Sequence, residues 1–199
     1  MMKVTFLPLP TLVFVVVMLC WFIFAGIFIF RKQPTGAHDR KRDRSSIAGV
    51  ALQGLSYAIV WSVRRPPFTP IVPEVEWLAV LTAIVTMVAA IGSVLLIMSA
   101  VKTLGKEWSI TARMVQNHEL ATKGPYARVR HPIYTGMLGM LVATGLAISH
   151  WIVLVAAIVV FAIGTLIRVR IEERLLRETF GPQFEEYARR VPAVIPGIF

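Results

Sequence analysis

The sequence predicts an all-α, polytopic integral membrane protein of five transmembrane helices, the last two forming a helical hairpin. Three observations predict it. Of the 199 residues 56% are hydrophobic and 16% charged, and the mean hydropathy is +0.69, too apolar for a soluble domain. The apolar residues gather in five runs, most of them near the roughly 20 residues that span a bilayer as a helix. The basic residues gather between those runs, as topology signals do, and not in a stripe along one face. That distribution excludes a nucleic-acid partner despite the net charge of +10.

The first run, Phe6 to Phe30, is preceded only by Lys3 and followed by Arg31 and Lys32. A cleaved leader has a basic start and a shorter apolar core, so a retained helix is expected. Cys20, the single cysteine, lies inside this run; it has no internal disulfide partner and reads as packing. Residues 31–44 form a basic loop, read as a solvated segment that fixes orientation, with anionic lipid head groups as the alternative contact. The second run, Ile47 to Val63, is short and ends at Arg64-Arg65-Pro66-Pro67. Trp77 opens the third, which reaches Val101, with an indole at the interface. Lys102 to Arg130 is the longest stretch that cannot sit in hydrocarbon. Ile133 to Ile148 and Trp151 to Ile167, joined by Ser149-His150, predict the hairpin. Its second helix then continues without a breaker through Arg168, Arg170, Glu172, Glu173, Arg174, Arg177 and Glu178 to Gly181-Pro182, and so is expected to leave the bilayer for water. A short amphipathic turn or two completes the chain before Pro192 and Pro196.

Residues 31–44, 102–130 and 168–199 each hold six Lys or Arg, and only Lys3, Arg64 and Arg65 lie elsewhere. With five crossings, that bias puts the N-terminus outside and the C-terminus in the cytoplasm. The compact size suggests the inner membrane of a prokaryote. The segment before the fourth helix and the charged end of the fifth then share the cytoplasmic face.

The densest chemistry in the chain lies in that segment: Gly124-Pro-Tyr-Ala-Arg-Val-Arg-His-Pro-Ile-Tyr-Thr-Gly136. Pro125 and Pro132 break a helix, and Gly124 and Gly136 permit tight backbone, which predicts a shaped loop leading into a helix. Shaped polar loops at a membrane face are where ligands bind. Arg168 and Glu172, four residues apart, share a helical face, with Glu173 to one side. Plainer readings stand beside these. The pair fits an exposed ion pair worth a few tenths of a kcal/mol. His131 fits an interfacial anchor, Tyr126 and Tyr134 an aromatic belt, Arg128 and Arg130 orientation signals. His118 and His131 are isolated, and no His, Cys, Asp or Glu grouping has ligand spacing, so no metal is expected. Neither a G-x-G-x-x-G after a strand nor a P-loop is present, which excludes a Rossmann-type cofactor domain.

Three pieces in order, Gly105-Lys-Glu-Trp-Ser109, His118-Glu-Leu-Ala-Thr-Lys-Gly-Pro-Tyr126 and Arg130-His-Pro-Ile-Tyr-Thr-Gly136, resemble the central signature of the isoprenylcysteine carboxyl methyltransferase family. Arg168-x-x-x-Glu172-Glu173, Phe180-Gly181, Glu186-Tyr187 and Val191-Pro192 resemble its C-terminal signature. The resemblance covers about residues 103–199 and extends to the wider superfamily of membrane phospholipid and thiol methyltransferases. It implies S-adenosyl-L-methionine as cofactor, bound between the loop before the hairpin and the charged C-terminal region. Residue by residue, it implies that His118, Glu119, Leu120 and Ala121 line the cofactor, largely through backbone groups. Tyr126 packs near it, His131, Pro132 and Tyr134 form the turn that holds it, Glu172 binds it, and Arg168 meets the substrate. Glu119 and Ala121 replace a Thr and a Val of the eukaryotic enzyme. Residues 1–101 are then three spans with their loops and 102–199 the catalytic half, within a single domain.

Methyl transfer from a sulfonium is an in-line displacement, so positioning and electrostatics supply most of the catalysis. A carboxylate acceptor needs no base but needs a cation, and Arg168 offers a planar fork. An amine or thiol must lose a proton, for which Glu173, His131 and Tyr134 are available. The expected activity is transfer to a lipophilic or lipid-linked acceptor from the membrane, most simply a carboxylate. Phospholipid, amine or thiol acceptors on the same scaffold are the alternative. A non-catalytic membrane subunit or transporter predicts ionisable residues within the spans, where almost none occur. A nicotinamide-dependent sterol reductase would need more helices.

Overall fold

The computed structural model describes residues 8–30, 39–42, 46–66, 69, 71, 76–105, 113–115 and 120–195. Lys3, much of the 31–44 loop, Lys106–Ser109, His118, Glu119 and Pro196 lie outside the described residues. Six α-helices make up nearly all of the regular structure: α1 (Pro8–Phe30), α2 (Ser46–Ser62), α3 (Glu76–Leu104), α4 (Pro132–Ile148), α5 (Trp151–Phe180) and α6 (Pro182–Arg190). Of these, α1, α3 and α5 are long and apolar enough to cross a membrane, while α2 and α4 are shorter apolar helices.

The helix limits follow from local chemistry. Pro132 opens α4, where its missing N–H leaves no hydrogen bond unmade. Helix α5 runs past its apolar stretch to Phe180, as its unbroken charge pattern requires, and stops at Gly181, whose φ of 52° suits a residue without Cβ. Pro182 then starts α6, nine residues long and so more substantial than a turn or two.

Helix α2 packs antiparallel along α5, and α3 packs along α4 with α1 against both. One core joins Val17, Cys20 and Phe24 of α1 to Val94 and Ile97 of α3 and Met140 of α4. A second joins Val60 of α2, Leu141 of α4 and Leu154, Ala157 and Phe161 of α5. Polar side chains cross between helices: the Trp21 indole donates to Thr144 Oγ1 at 3.0 Å and the Tyr57 hydroxyl to the Met137 carbonyl at 2.8 Å. Phe22, Val88, Leu95, Ile152 and Val155 face outward, as helices that meet lipid require.

Two features differ from the sequence reading. Gly136 shapes no loop; it lies inside α4, where a Cβ would come within 2.5 Å of Ile97 Cγ1 and 3.0 Å of the Ser93 carbonyl, so it lets α3 and α4 approach closely. And a short ribbon forms where only loops were expected. Strand β1 (Asp39–Arg42) pairs antiparallel with β2 (Arg113–Val115), with Asp39 opposite Val115 and Arg42 opposite Arg113. The ribbon ties the 31–44 loop to the segment before α4.

Candidate active site

The site begins in the backbone between Gly124 and Pro132. Gly124, at φ 61°, turns the chain into a single 3-10 turn, Gly124–Ala127. His131 precedes α4 with φ −124° and ψ 61°, since a residue before proline is kept out of the helical region. The tail folds back onto this loop. The Arg130 and His131 N–H groups donate to the Pro192 and Ala193 carbonyls, both at 2.8 Å. Thr135 Oγ1 donates to the Val194 carbonyl, and the Tyr187 hydroxyl donates to the Tyr126 carbonyl at 2.6 Å. Burial, with the Glu172 charge and Tyr187, pushes the Tyr126 hydroxyl well above its ordinary range, so it stays neutral.

Against this loop lies the charged end of α5. The buried His131 ring sits between two consecutive carboxylates, with Nδ1 3.4 Å from Glu172 Oε2 and Nε2 3.3 Å from Glu173 Oε1. Both neighbours are acceptors, so each ring nitrogen has a carboxylate to donate to, an environment that favours the protonated ring. Burial alone would lower the His131 pKa; hydrogen bonds to Glu172 and Glu173 and the charge of both outweigh it and raise it. The ring also stacks on Tyr134, centroids 5.5 Å apart and planes 10° off parallel. The Tyr134 hydroxyl donates to Glu172 Oε1. Arg168 Nη2 meets the same oxygen at 3.2 Å, and its guanidinium lies over the Tyr134 ring, 4.9 Å from the centroid.

The two carboxylates part in their surroundings. The Glu173 side chain is 8% exposed and holds Arg130 Nε at 2.9 Å and Arg177 Nη2 at 3.3 Å. Glu172 is 22% exposed, the more accessible of the two acids. Arg130 also donates through Nη1 to the carbonyls of Ala188 (2.8 Å) and Val191, so it fastens the tail to α5.

Four of the residues singled out from the sequence, His131, Tyr134, Arg168 and Glu172, thus form one connected group, with Pro132 buried between them at the head of α4. The exposed ion pair is not what forms: the Arg168 side chain is 7% exposed. Tyr126 is buried beneath the loop, and Arg128 is exposed, as an orientation signal would be. Leu120 and Ala121 are partly exposed just before the turn; His118 and Glu119 lie outside the described residues. Sequence reasoning missed the structural roles of Arg130 and Gln53. Gln53, in α2, accepts from Arg168 Nη1 at 3.2 Å. A lone amide in an apolar run was the available signal for it. Among the described residues there is no His, Cys, Asp and Glu grouping that suits a metal ion.

Residues 81–183 match the phospholipid methyltransferase family. Among curated proteins, the chain is 36% identical over 100 residues to protein-S-isoprenylcysteine O-methyltransferase B of Arabidopsis thaliana, covering 49% of this chain and 51% of that one. It is 31% identical over 101 residues to the Schizosaccharomyces pombe protein-S-isoprenylcysteine O-methyltransferase, covering 49% and 42%. It is 38% identical over 102 residues to the cobalt-zinc-cadmium resistance protein CzcN of Cupriavidus metallidurans, covering 47% and 44%. The matches therefore span about half the length of these relatives or somewhat less.

Proposed function

Since the chain belongs to the phospholipid methyltransferase family, we propose that it is a membrane enzyme transferring a methyl group from S-adenosylmethionine to the carboxylate of a lipophilic, isoprenylcysteine-like acceptor. In this reading α1 to α5 all cross the bilayer, α4 and α5 as a hairpin, with the N-terminus outside and the site facing the cytoplasm. Residues 102–199 are the catalytic half.

The donor set suits the cofactor. Glu172 is the more exposed carboxylate of the cluster, and two partly exposed residues, Leu120 and Ala121, precede the turn. Glu172 would hold the cofactor's ammonium group or a ribose hydroxyl, with Leu120, Ala121 and the His118–Glu119 segment supplying backbone contacts and Tyr126 packing beneath. Bound there, S-adenosylmethionine supplies an electrophilic methyl group on a sulfonium. Arg168 holds the acceptor carboxylate and orients one oxygen for in-line attack. His131, Pro132 and Tyr134 keep Glu172 and Arg168 in place, so little reorganisation accompanies reaction.

The observation that carries the carboxylate reading is the placement of His131. Both ring nitrogens face carboxylates, so neither is turned toward an acceptor whose proton it could take. Glu173 is engaged by two arginines and Tyr134 donates its proton to Glu172. The cluster thus offers cations to hold an anion and little spare basicity to deprotonate an amine or thiol. The family's name favours the second reading, a phospholipid or other amine acceptor. Methyl-labelled lipid extracts separate the two: a base-labile ester marks a carboxyl acceptor, a base-stable product nitrogen or sulfur.

Isothermal titration with S-adenosylhomocysteine tests the shared premise. Wild type binds, and Glu172→Ala weakens binding about 10- to 100-fold, the loss expected for hydrogen bonds to a charged group. No binding by wild type, or equal binding by the variant, removes the proposal.

A further inference from the structure

We infer that Gln53 of α2 is a positioning residue for the acceptor, holding the Arg168 guanidinium in the orientation that receives a carboxylate. This rests on the methyltransferase reading and extends it to a helix outside the resemblance to the known family.

Gln53 is buried, in a helix otherwise made of apolar and small residues with few polar ones. Burying an amide without partners is unfavourable, yet this one is bonded at both ends. Its Nε2 donates to Thr165 Oγ1 at 2.9 Å and its Oε1 accepts from Arg168 Nη1 at 3.2 Å. Arginine has no acceptor, so the amide must turn its oxygen to Arg168, and Thr165 fixes that choice by accepting from the other end.

The backbones come together to allow it. Gly49 and Gln53 are one turn apart on α2; Gly164 and Arg168 are one turn apart on α5. A Cβ at Gly164 would sit 2.8 Å from the Gly49 carbonyl, and one at Gly49 would run into the Arg168 side chain. Two glycines at the crossing therefore place the two polar residues in reach. The guanidinium is thereby held on three sides, by Gln53, by Glu172 and by the Tyr134 ring.

The neutrality of Gln53 separates positioning from packing. A neutral acceptor orients the arginine without adding a second carboxylate to the one it already meets, Glu172. A carboxylate of the same shape would hold the arginine as firmly but compete with the acceptor for it.

The experiment uses the purified full chain in lipid, with S-adenosylmethionine and N-acetyl-S-farnesylcysteine as the acceptor probe. For Gln53→Glu the expected result is an unfolding midpoint no lower than wild type and S-adenosylhomocysteine affinity within about threefold. KM for the probe should rise about tenfold or more while kcat changes less. Gln53→Leu should raise KM similarly; if it fails to fold, Gln53→Glu decides. A Gln53→Glu enzyme with wild-type KM overturns the inference and leaves the methyltransferase reading standing. Wild type that binds S-adenosylhomocysteine but leaves the probe unmethylated overturns the inference together with the carboxylate acceptor. Wild type that binds no S-adenosylhomocysteine overturns both inference and enzyme.

Discussion

The two ends of α4 each hold a basic side chain, and they use it differently. Past its C-terminus, Arg65 donates through Nη2 to the Leu146 and Ala147 carbonyls at 2.8 and 2.9 Å, and its own N–H donates to the Ile148 carbonyl at 2.9 Å. These are carbonyls the helix leaves unpaired, at the negative end of its dipole. No carboxylate is paired with Arg65 among the described residues, and burial lowers its pKa to about 10. At the N-terminus the His131 ring is buried against Glu172 and Glu173, and its pKa moves up. A cation on backbone carbonyls closes a helix and has no partner to exchange. A basic ring that also meets a partly exposed carboxylate, Glu172, belongs to a group that a charged ligand can join. One end is a cap, the other a candidate site.

The largest effect that would sharpen this contrast is the loss of Glu173. Glu173→Ala leaves Arg130, His131 and Arg177 without their shared counter-charge, and removing one member of a buried pair destabilises by about 3–5 kcal/mol. Thermal unfolding in detergent should show a large drop in midpoint, together with earlier proteolysis of the tail that Arg130 fastens. A wild-type midpoint would mean that Glu173 organises nothing.

Arg65→Ala should be milder, about 1–3 kcal/mol for the lost bonds to carbonyls. S-adenosylhomocysteine affinity of the folded protein should be unchanged. If affinity collapsed while the midpoint held, the two ends would not differ in kind and the comparison would be broken.

The smallest effect is on pH. Because the folded-state pKa of His131 is raised above its ordinary 6.5, its contribution is complete below about pH 6.5 and is lost as pH rises through the raised value. The unfolding midpoint of wild type should therefore decline on the alkaline side relative to His131→Gln, which cannot titrate. Parallel curves for the two proteins would show that the ring is neutral in the fold.

Much of this architecture is legible in the sequence because its signals are local. Apolar runs bounded by Arg64-Arg65-Pro66, Pro132 and Gly181-Pro182 set the helix limits to within a few residues, since lipid admits only a backbone that bonds to itself. Spacing put Arg168 and Glu172 on one face, and the motif residues His131 and Tyr134 do meet them. The fates of Glu172 and Glu173, adjacent in the chain, were not legible. Which one faces outward depends on how α5 rotates against the loop and on where the tail returns. Nor was the link from Gln53 to Arg168, 115 residues away. Composition and spacing determine what can be buried and which residues share a turn. Partners that come from distant segments are decided only when the helices pack, because close approaches such as that at Gly49 and Gly164 bring those groups within hydrogen-bonding distance.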